Sequence, residues 1–342
     1  MVETPAGQLR IHAHAAPAAG EALRPYDYVP AELGAHEVEI AVTHCGICHS
    51  DLHLIDNDWG VSAYPLVPGH EIVGTVVHAG SEAAGLDIGQ RIGVGWLAGS
   101  CMVCEQCRGA NENLCRQARP TCVGRHGGYA THVRVDARFA APLPDALLSE
   151  YGAPLLCAGI TVFAPLSRRG LKPGARVGVV GLGGLGHLAV QYASAMGSAV
   201  TVFSSTADKQ DEARRFGADQ FVNVSRRGAL AGEANTCDLI VATVPADLPW
   251  ADYVSALKPN GLLCIVGVSP GEVRMPALGL IEGQKTIGGS AIGSNAEIRA
   301  MFQFSVEHAI MPVIELYAMK DVNKALERLR QNQVRYRAVL VN

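Results

Sequence analysis

One stretch limits the folds open to this chain more than any other: RVGVVGLGGLGHLAVQYASAMG, residues 176–197. An apolar run of strand character ends in three spaced glycines, Gly181, Gly183 and Gly186, with Gly184 and Leu185 among them, and a helical segment follows at once. The first glycine permits a tight turn, the second lets backbone approach a pyrophosphate, and the third lets helix pack on strand. The helix N-terminus then offers free N–H groups to the phosphates. Strand, loop and helix in that order predict the first βα unit of a dinucleotide-binding, doubly wound sheet. Gly197 stands where such a helix takes its C-terminal cap.

The chain beyond the loop agrees. SAVTVFSS, QFVNV, CDLIVATV and GLLCIVGV are apolar runs separated by helical stretches, as buried parallel strands require. From residue 8 to about 135 the texture differs. QLRIHAHA, EVEIAVTH, EIVGTVVHAG, QRIGVGW and YATHVRV are short alternating runs cut by glycine and proline, which predicts an irregular β domain. With 342 residues, 49% hydrophobic and 18% charged, the chain has material for two buried domains.

The strand after the glycine-loop helix ends VTVFSSTADK. An NAD site usually places an acidic residue there to hold the ribose hydroxyls. Here stand Ser204, Ser205 and Thr206, with Lys209 nearby. Hydroxyls and an ammonium suit a 2′-phosphate that an aspartate would repel, so NADP(H) is expected over NAD(H), with Asp208 the one feature against it.

In a reducing compartment the ten cysteines point to metal and not to disulfides. CMVCEQCRGANENLC places Cys101, Cys104, Cys107 and Cys115 at short spacing, which suits a closed tetrahedral zinc, a structural site. The rival, an iron–sulfur cluster, is disfavoured by the wide last gap and the missing proline after Cys115. A second cysteine system begins in THCGICHSDLH, where Cys45 and Cys48 read as a redox pair, half a zinc finger, or one ligand beside a bystander. PGHE adds His70 and Glu71, and LLCAGIT adds Cys157. A catalytic zinc takes about three protein ligands and one open position, a rule that a Cys2His set such as Cys48, His70 and Cys157 could satisfy.

A net charge of −4 without a lysine or arginine run gives no electrostatic reason to expect nucleic acid or an anionic membrane as partner. MVETPAGQLR lacks a signal-peptide apolar core, and no apolar run approaches the roughly 18 residues of a membrane span. The expectation is a cytoplasmic protein with a small-molecule partner.

CGICHSDLH, PLVPGHEIVG, the four-cysteine lobe, LLCAGITVF, GLGGLG and GSAIGS, taken together, resemble the zinc-dependent medium-chain alcohol dehydrogenases. The coenzyme half is most similar to the cinnamyl-alcohol dehydrogenase branch, and the likeness runs from about residue 8 to the C-terminus. The resemblance implies a GroES-like irregular β-barrel catalytic domain over residues 1–152 with its structural zinc lobe at 96–118. A Rossmann domain at 153–289 would be inserted in it, and 290–342 would return to it. It implies that Cys48, His70 and Cys157 hold a catalytic zinc, Glu71 lying close enough to join them, and that Cys45 is the bystander. It further implies that Ser50 takes the proton of the alcohol and His53 passes it on, while Asp51 orients His70. His49, Thr161 and the Ser290 to Ile292 segment are implied in coenzyme binding, and Trp59 and Trp96 in walling the substrate pocket, favouring aromatic or broad-range substrates. Two departures bear on the substrate: WLAGSCMVCEQC is closer to the ethanol type, and the Arg116 to His126 segment is shorter than in many cinnamyl-type members. The competing expectations are an NAD-dependent ethanol-type enzyme, a zinc-free quinone or enoyl reductase, and a noncatalytic NADPH-binding redox sensor with a Cys45–Cys48 switch. A homodimer is the family expectation.

Overall fold

The structure, a computed structural model, describes residues 9–269 and 271–342, so Met1 to Gln8, most of the opening read above for a leader, lies outside the described residues. The chain divides into two compact units, one of residues 1–157, 293–307 and 312–342, the other of 158–292 with 308–311. Sequence texture put the first change at 152, and the resemblance put the return at 290.

In the first unit β1 (Ile11–Ala15) pairs antiparallel with β2 (Arg24–Tyr28). The long β3 (Glu37–Ile47) pairs antiparallel with β4 (Glu71–Ala79), which pairs with β5 (Arg91–Val94). Val38, Ile40 and Val42 of β3 alternate into a core that also takes Ile72 and Val76 of β4 and Ile92 of β5. A short ladder between β6 (Leu97–Gly99) and β7 (Arg119–Pro120) closes the base of the four-cysteine lobe. β8 (His132–Asp136) lies on the free stretch of β3, and β9 (Ala141–Pro142) on β5.

The second unit is a six-stranded sheet of β10 (Arg176–Val180), β11 (Ala199–Ser204), β12 (Gln220–Asn223), β13 (Cys237–Ala242), β14 (Leu257–Ile265) and β15 (Thr286–Gly289). Every pairing is parallel, and the spatial order is β12-β11-β10-β13-β14-β15. This is the doubly wound dinucleotide-binding order, whose reversal falls between β10 and β13, beside the glycine loop. Val177, Val179 and Val180, and Leu239 to Val241, are buried, as strands covered on both faces must be. The helix Gly186–Ala195 starts in the loop and stops before Gly197, whose φ of +80° is the left-handed cap expected there.

The last part of the chain returns to the first unit. The helix Val322–Arg330 buries Val322, Ala325, Leu326 and Leu329, one stripe at helical period. Arg330 Nη2 donates to Asp56 Oδ1 at 2.7 Å, tying this helix to the end of helix His49–Asp56. β16 (Ile314–Ala318) pairs with β17 (Arg337–Val341), and β17 pairs antiparallel with β3, giving the sheet path β16-β17-β3-β4-β5-β9. Among the described residues no helix is long and apolar enough to cross a membrane.

Candidate active site

β3 ends at Ile47 and Cys48 caps the next helix with extended backbone angles, so the thiol projects from the start of His49–Asp56. Asp51, three residues on, returns its Oδ2 to the Cys48 N–H at 2.9 Å. The same buried carboxylate accepts from Gly69 N and from His70 Nδ1, each at 3.0 Å, and from the Tyr129 hydroxyl at 3.1 Å. Four donors on one carboxylate fix both the helix start and the His70 ring. Gly69 makes this possible: its φ is +101°, and a Cβ would strike the Tyr129 ring at 2.6 Å.

With Nδ1–H committed to Asp51, His70 turns Nε2 inward, where it is buried with no hydrogen-bond partner among the described residues. One ligand atom each from Cys48, His70, Glu71 and Cys157 lie within 4.8 Å of one another. Cys157 sits in the π-helical turn Leu155–Gly159, between helices Ser149–Pro154 and Ile160–Arg169, and such turns often serve sites. Its Sγ is 3.8 Å from that of Cys48. The Cys157 thiol, as donor, holds the Cys48 thiol well below its usual range. For His70, burial opposes the charge, but the Asp51 carboxylate and then the Cys157 sulfur raise its pKa above the usual value. Burial pushes the Glu71 carboxyl up to about 7, a rise held back by the buried Arg337 guanidinium. Glu71 Oε1 pairs with Arg337 Nη2, leaving Oε2 buried without a partner. A soft, orphaned donor set of two sulfurs and an imidazole nitrogen fits zinc.

Cys45 lies in the hydrophobic core, its thiol toward the Gly46 carbonyl and pushed well up by burial. Ser50 Oγ is 3.6 Å from Cys48 Sγ. His53, one turn further on, bonds through Nδ1 to Asp58 Oδ2 at 2.7 Å and lies against the Trp59 ring with centroids 5.2 Å apart. Trp59 meets Trp96 edge-on at 6.0 Å, and Trp96 meets His70 edge-on at 5.0 Å. The two tryptophans therefore form a continuous aromatic wall from His53 to the His70 ring. His49 is exposed at the start of the helix.

In the lobe, the Sγ–Sγ distances Cys101–Cys115 and Cys104–Cys107 are 3.5 Å, and Cys101–Cys107 and Cys104–Cys115 are 3.8 Å. A tetrahedron with Zn–S bonds of about 2.3 Å has edges of about 3.8 Å. Backbone N–H groups, those of Val103 and Cys104 foremost, bring the Cys101 thiol down to about 6. This thiolate cage matches a structural zinc.

In the second unit Gly181 has φ +90°, and a Cβ on Gly186 would fall 2.0 Å from the Gly181 carbonyl. A Cβ on Gly183 would meet nothing within 4 Å. The loop is thus open on the face where a pyrophosphate would lie, with Gly184 and Leu185 partly exposed beside it. Ser204 is buried and its Oγ accepts from Thr206 N at 3.2 Å, while Ser205 and Thr206 are exposed. Lys209 Nζ donates to the Leu182 carbonyl at 2.7 Å, which brings the ammonium to the glycine loop. Thr161 is buried on its helix, Ser290 keeps a buried hydroxyl without a partner among the described residues, and Ile292 has φ +43°. The open loop and orphaned hydroxyl fit a dinucleotide.

Sequence reasoning missed Asp58, Tyr129, Arg337 and Cys122. Cys122 is buried, with its sulfur within 4.8 Å of ligand atoms of Asp51 and His70. Asp58 was findable, five residues after a histidine at a helix end. Arg337 reaches the site through the pairing of β17 with β3, and Cys122 and Tyr129 come from turns more than 50 residues further along the chain than the residues they meet.

Fold and site together define a zinc-dependent, dinucleotide-binding dehydrogenase. Residues 34–145 match the family described as "Alcohol dehydrogenase GroES-like domain", and residues 184–307 that described as "Zinc-binding dehydrogenase". An aldehyde reductase of Synechocystis sp. is 42% identical, the match covering 96% of this chain and 98% of that protein. The solved structure of a cinnamyl alcohol dehydrogenase of Sorghum bicolor superposes with a TM-score of 0.93 at 40% identity, covering 97% of this chain and 98% of the other. That of a Helicobacter pylori enzyme of the same name, complexed with NADP(H), gives 0.89 at 33%, covering 98% of each. The chain belongs to the zinc-dependent medium-chain alcohol dehydrogenases, in their cinnamyl-alcohol dehydrogenase-like branch.

Proposed function

We propose that this alcohol dehydrogenase interconverts aldehydes and primary alcohols, aromatic ones included, with NADP(H) as coenzyme and with Cys48, His70 and Cys157 as the ligands of its catalytic zinc. The orphaned Nε2 of His70, clustered with the Cys48 and Cys157 sulfurs beside the Trp59–Trp96 wall, carries the reading. When bound, zinc polarises the carbonyl as a Lewis acid and the nicotinamide exchanges the hydride. This chain's residues supply position and protons. The Ser50 hydroxyl exchanges a proton with the substrate oxygen, and His53, three residues on and so on the same helix face, exchanges it with solvent. Asp58 keeps Nδ1 of His53 protonated, leaving Nε2 as the working atom. Trp59 and Trp96 exclude water and offer rings to stack on. His49, Thr161, Ser290 and Ile292 contact the coenzyme. The hydroxyls at 204–206 with Lys209 take the 2′-phosphate. The same reading makes the protein a homodimer of the cytoplasm, where its ten free cysteines stay reduced.

Oxidation of NADPH and, separately, NADH by the zinc-loaded protein is to be followed with cinnamaldehyde, benzaldehyde and short aliphatic aldehydes. Turnover fastest with NADPH and the aromatic aldehydes is the expected result, abolished by Cys48→Ala and largely kept by Cys45→Ala. A preference for NADH would overturn the coenzyme assignment alone, and an active Cys48→Ala would overturn the metal site.

A further inference from the structure

The first unit holds a cavity of about 950 Å³ that shares no residue with the zinc ligands or the tryptophan wall. Its volume lies within the range of small-molecule sites, roughly 300–1,000 Å³. One side is aromatic. Tyr26 and Tyr28 of β2 stack with centroids 5.9 Å apart and planes 24° from parallel, and the His126 ring sits 4.3 Å from Tyr28.

The other distinctive lining groups are Arg119 and Arg125, at the two ends of the stretch that follows the zinc lobe. Neither guanidinium has a carboxylate at hydrogen-bond distance among the described residues, each pairing only at 3.8 Å. Arg119 lies 3.8 Å from Asp136, but Asp136 is already held by Arg138 through two bonds of 2.8 and 2.6 Å. Arg125 donates to the Arg134 carbonyl and approaches Glu37 only to 3.8 Å, while Glu37 turns its other oxygen to Gly34 N at 3.0 Å. Arg134, also in the lining, is taken up by buried Glu39 at 2.7 Å. Two positive charges near one another thus lack a full counter-ion beside a three-ring wall. Burial brings the Arg125 pKa down, Glu37 opposing the shift and Arg119 adding to it.

We propose that this cavity binds a planar aromatic carboxylate, its ring against Tyr28 and His126 and its carboxylate between Arg119 and Arg125. Guanidinium forks match a carboxylate in geometry and strengthen a hydrogen bond by its charge. A single negative charge is favoured, because Glu32 and Glu37 also line the cavity and would repel a phosphate dianion. A cation would meet three arginines, and a neutral ring would leave the Arg119–Arg125 repulsion in place.

The test is titration of 4-fluorocinnamate into the zinc-loaded protein, followed by ¹⁹F NMR, with the neutral 4-fluorocinnamamide alongside. Saturable binding with Kd below about 1 mM, weakened about tenfold or more in the amide and in Arg119→Gln/Arg125→Gln, is expected. Binding in Cys48→Ala is expected to match the parent, since the site does not involve zinc. If the double variant does not fold, half-exposed Arg119→Gln alone serves, with a loss of several-fold expected. No saturation by about 5 mM, equal affinity for the amide, or binding lost in Cys48→Ala but kept in the arginine variants would overturn the proposal.

Discussion

Asp58 illustrates how much a single side chain can do at the residue scale. It accepts from Nδ1 of His53 at 2.7 Å, and Trp59, next in the chain, covers the same ring. Losing the carboxylate leaves His53 free to rotate and to protonate the other nitrogen. Asp58→Asn is expected to slow alcohol oxidation near pH 7 by about tenfold, a fraction of the roughly 10²–10⁴ that proton transfer contributes. The deficit is expected to shrink at alkaline pH, where solvent takes the proton directly, with NADPH binding unchanged by fluorescence titration. An unaltered pH–rate profile would mean that His53 is oriented by something else. The features legible at this scale were those whose partners lie a few residues apart. The four lobe cysteines and Cys48 with Asp51 fall in that class, because a turn or a helix start brings them together without help. Tyr129 on Asp51 and Arg337 on Glu71 do not, since 78 and 266 residues separate the partners.

Single elements carry their own charge balance. Glu39 on β3 is buried, yet bonds to His78 Nδ1 on β4 at 2.8 Å and to Arg134 Nε on β8 at 2.7 Å. Burial acts to raise its pKa, but the bonds from His78 and Arg134 prevail and hold it below the usual 4.5. A carboxyl depressed on folding stabilises the fold above its unfolded value, and that contribution is lost as pH falls below about 4.5 through the folded one. Melting temperature is therefore expected to fall more steeply on acidification in the parent than in Glu39→Gln, with parallel curves as the contrary result. The strand runs themselves were readable where alternation or continuous burial is strong, as in EVEIAVTH and RVGVV. β2, RPYDY, and β16, IELYA, lie at the ends of their ladders with mostly exposed or half-exposed side chains, so no hydrophobic period announced them.

For the whole molecule, the decisive contact is Arg337 with Glu71, where the last strand meets the Cys48–His70–Cys157 cluster. Removing one partner of a buried pair typically costs about 3–5 kcal/mol, because the other charge stays buried alone. Arg337→Met is expected to lower stability to denaturant by that order, and Arg337→Met/Glu71→Leu to recover most of it. No recovery in the double variant would show that Arg337 acts through packing alone. The division into an irregular β unit and a parallel-sheet unit was legible from texture, since burial on one face and on two faces leave different patterns. The re-entry of the chain after 292 was not, because nothing local in NAEIRAMFQFSVEHA says which sheet it will join; only resemblance supplied it. β17 lies between β16 and β3, inside the sheet and not at its rim. A ribosome making this protein therefore delivers every thiol of the two cysteine clusters by Cys157, yet must translate roughly half the chain again before the strand bearing Arg337 can slot in beside β3. Until then Glu71 stands beside Cys48 and Cys157 without its guanidinium partner, so the charge balance of the cluster is the last part of it to be completed.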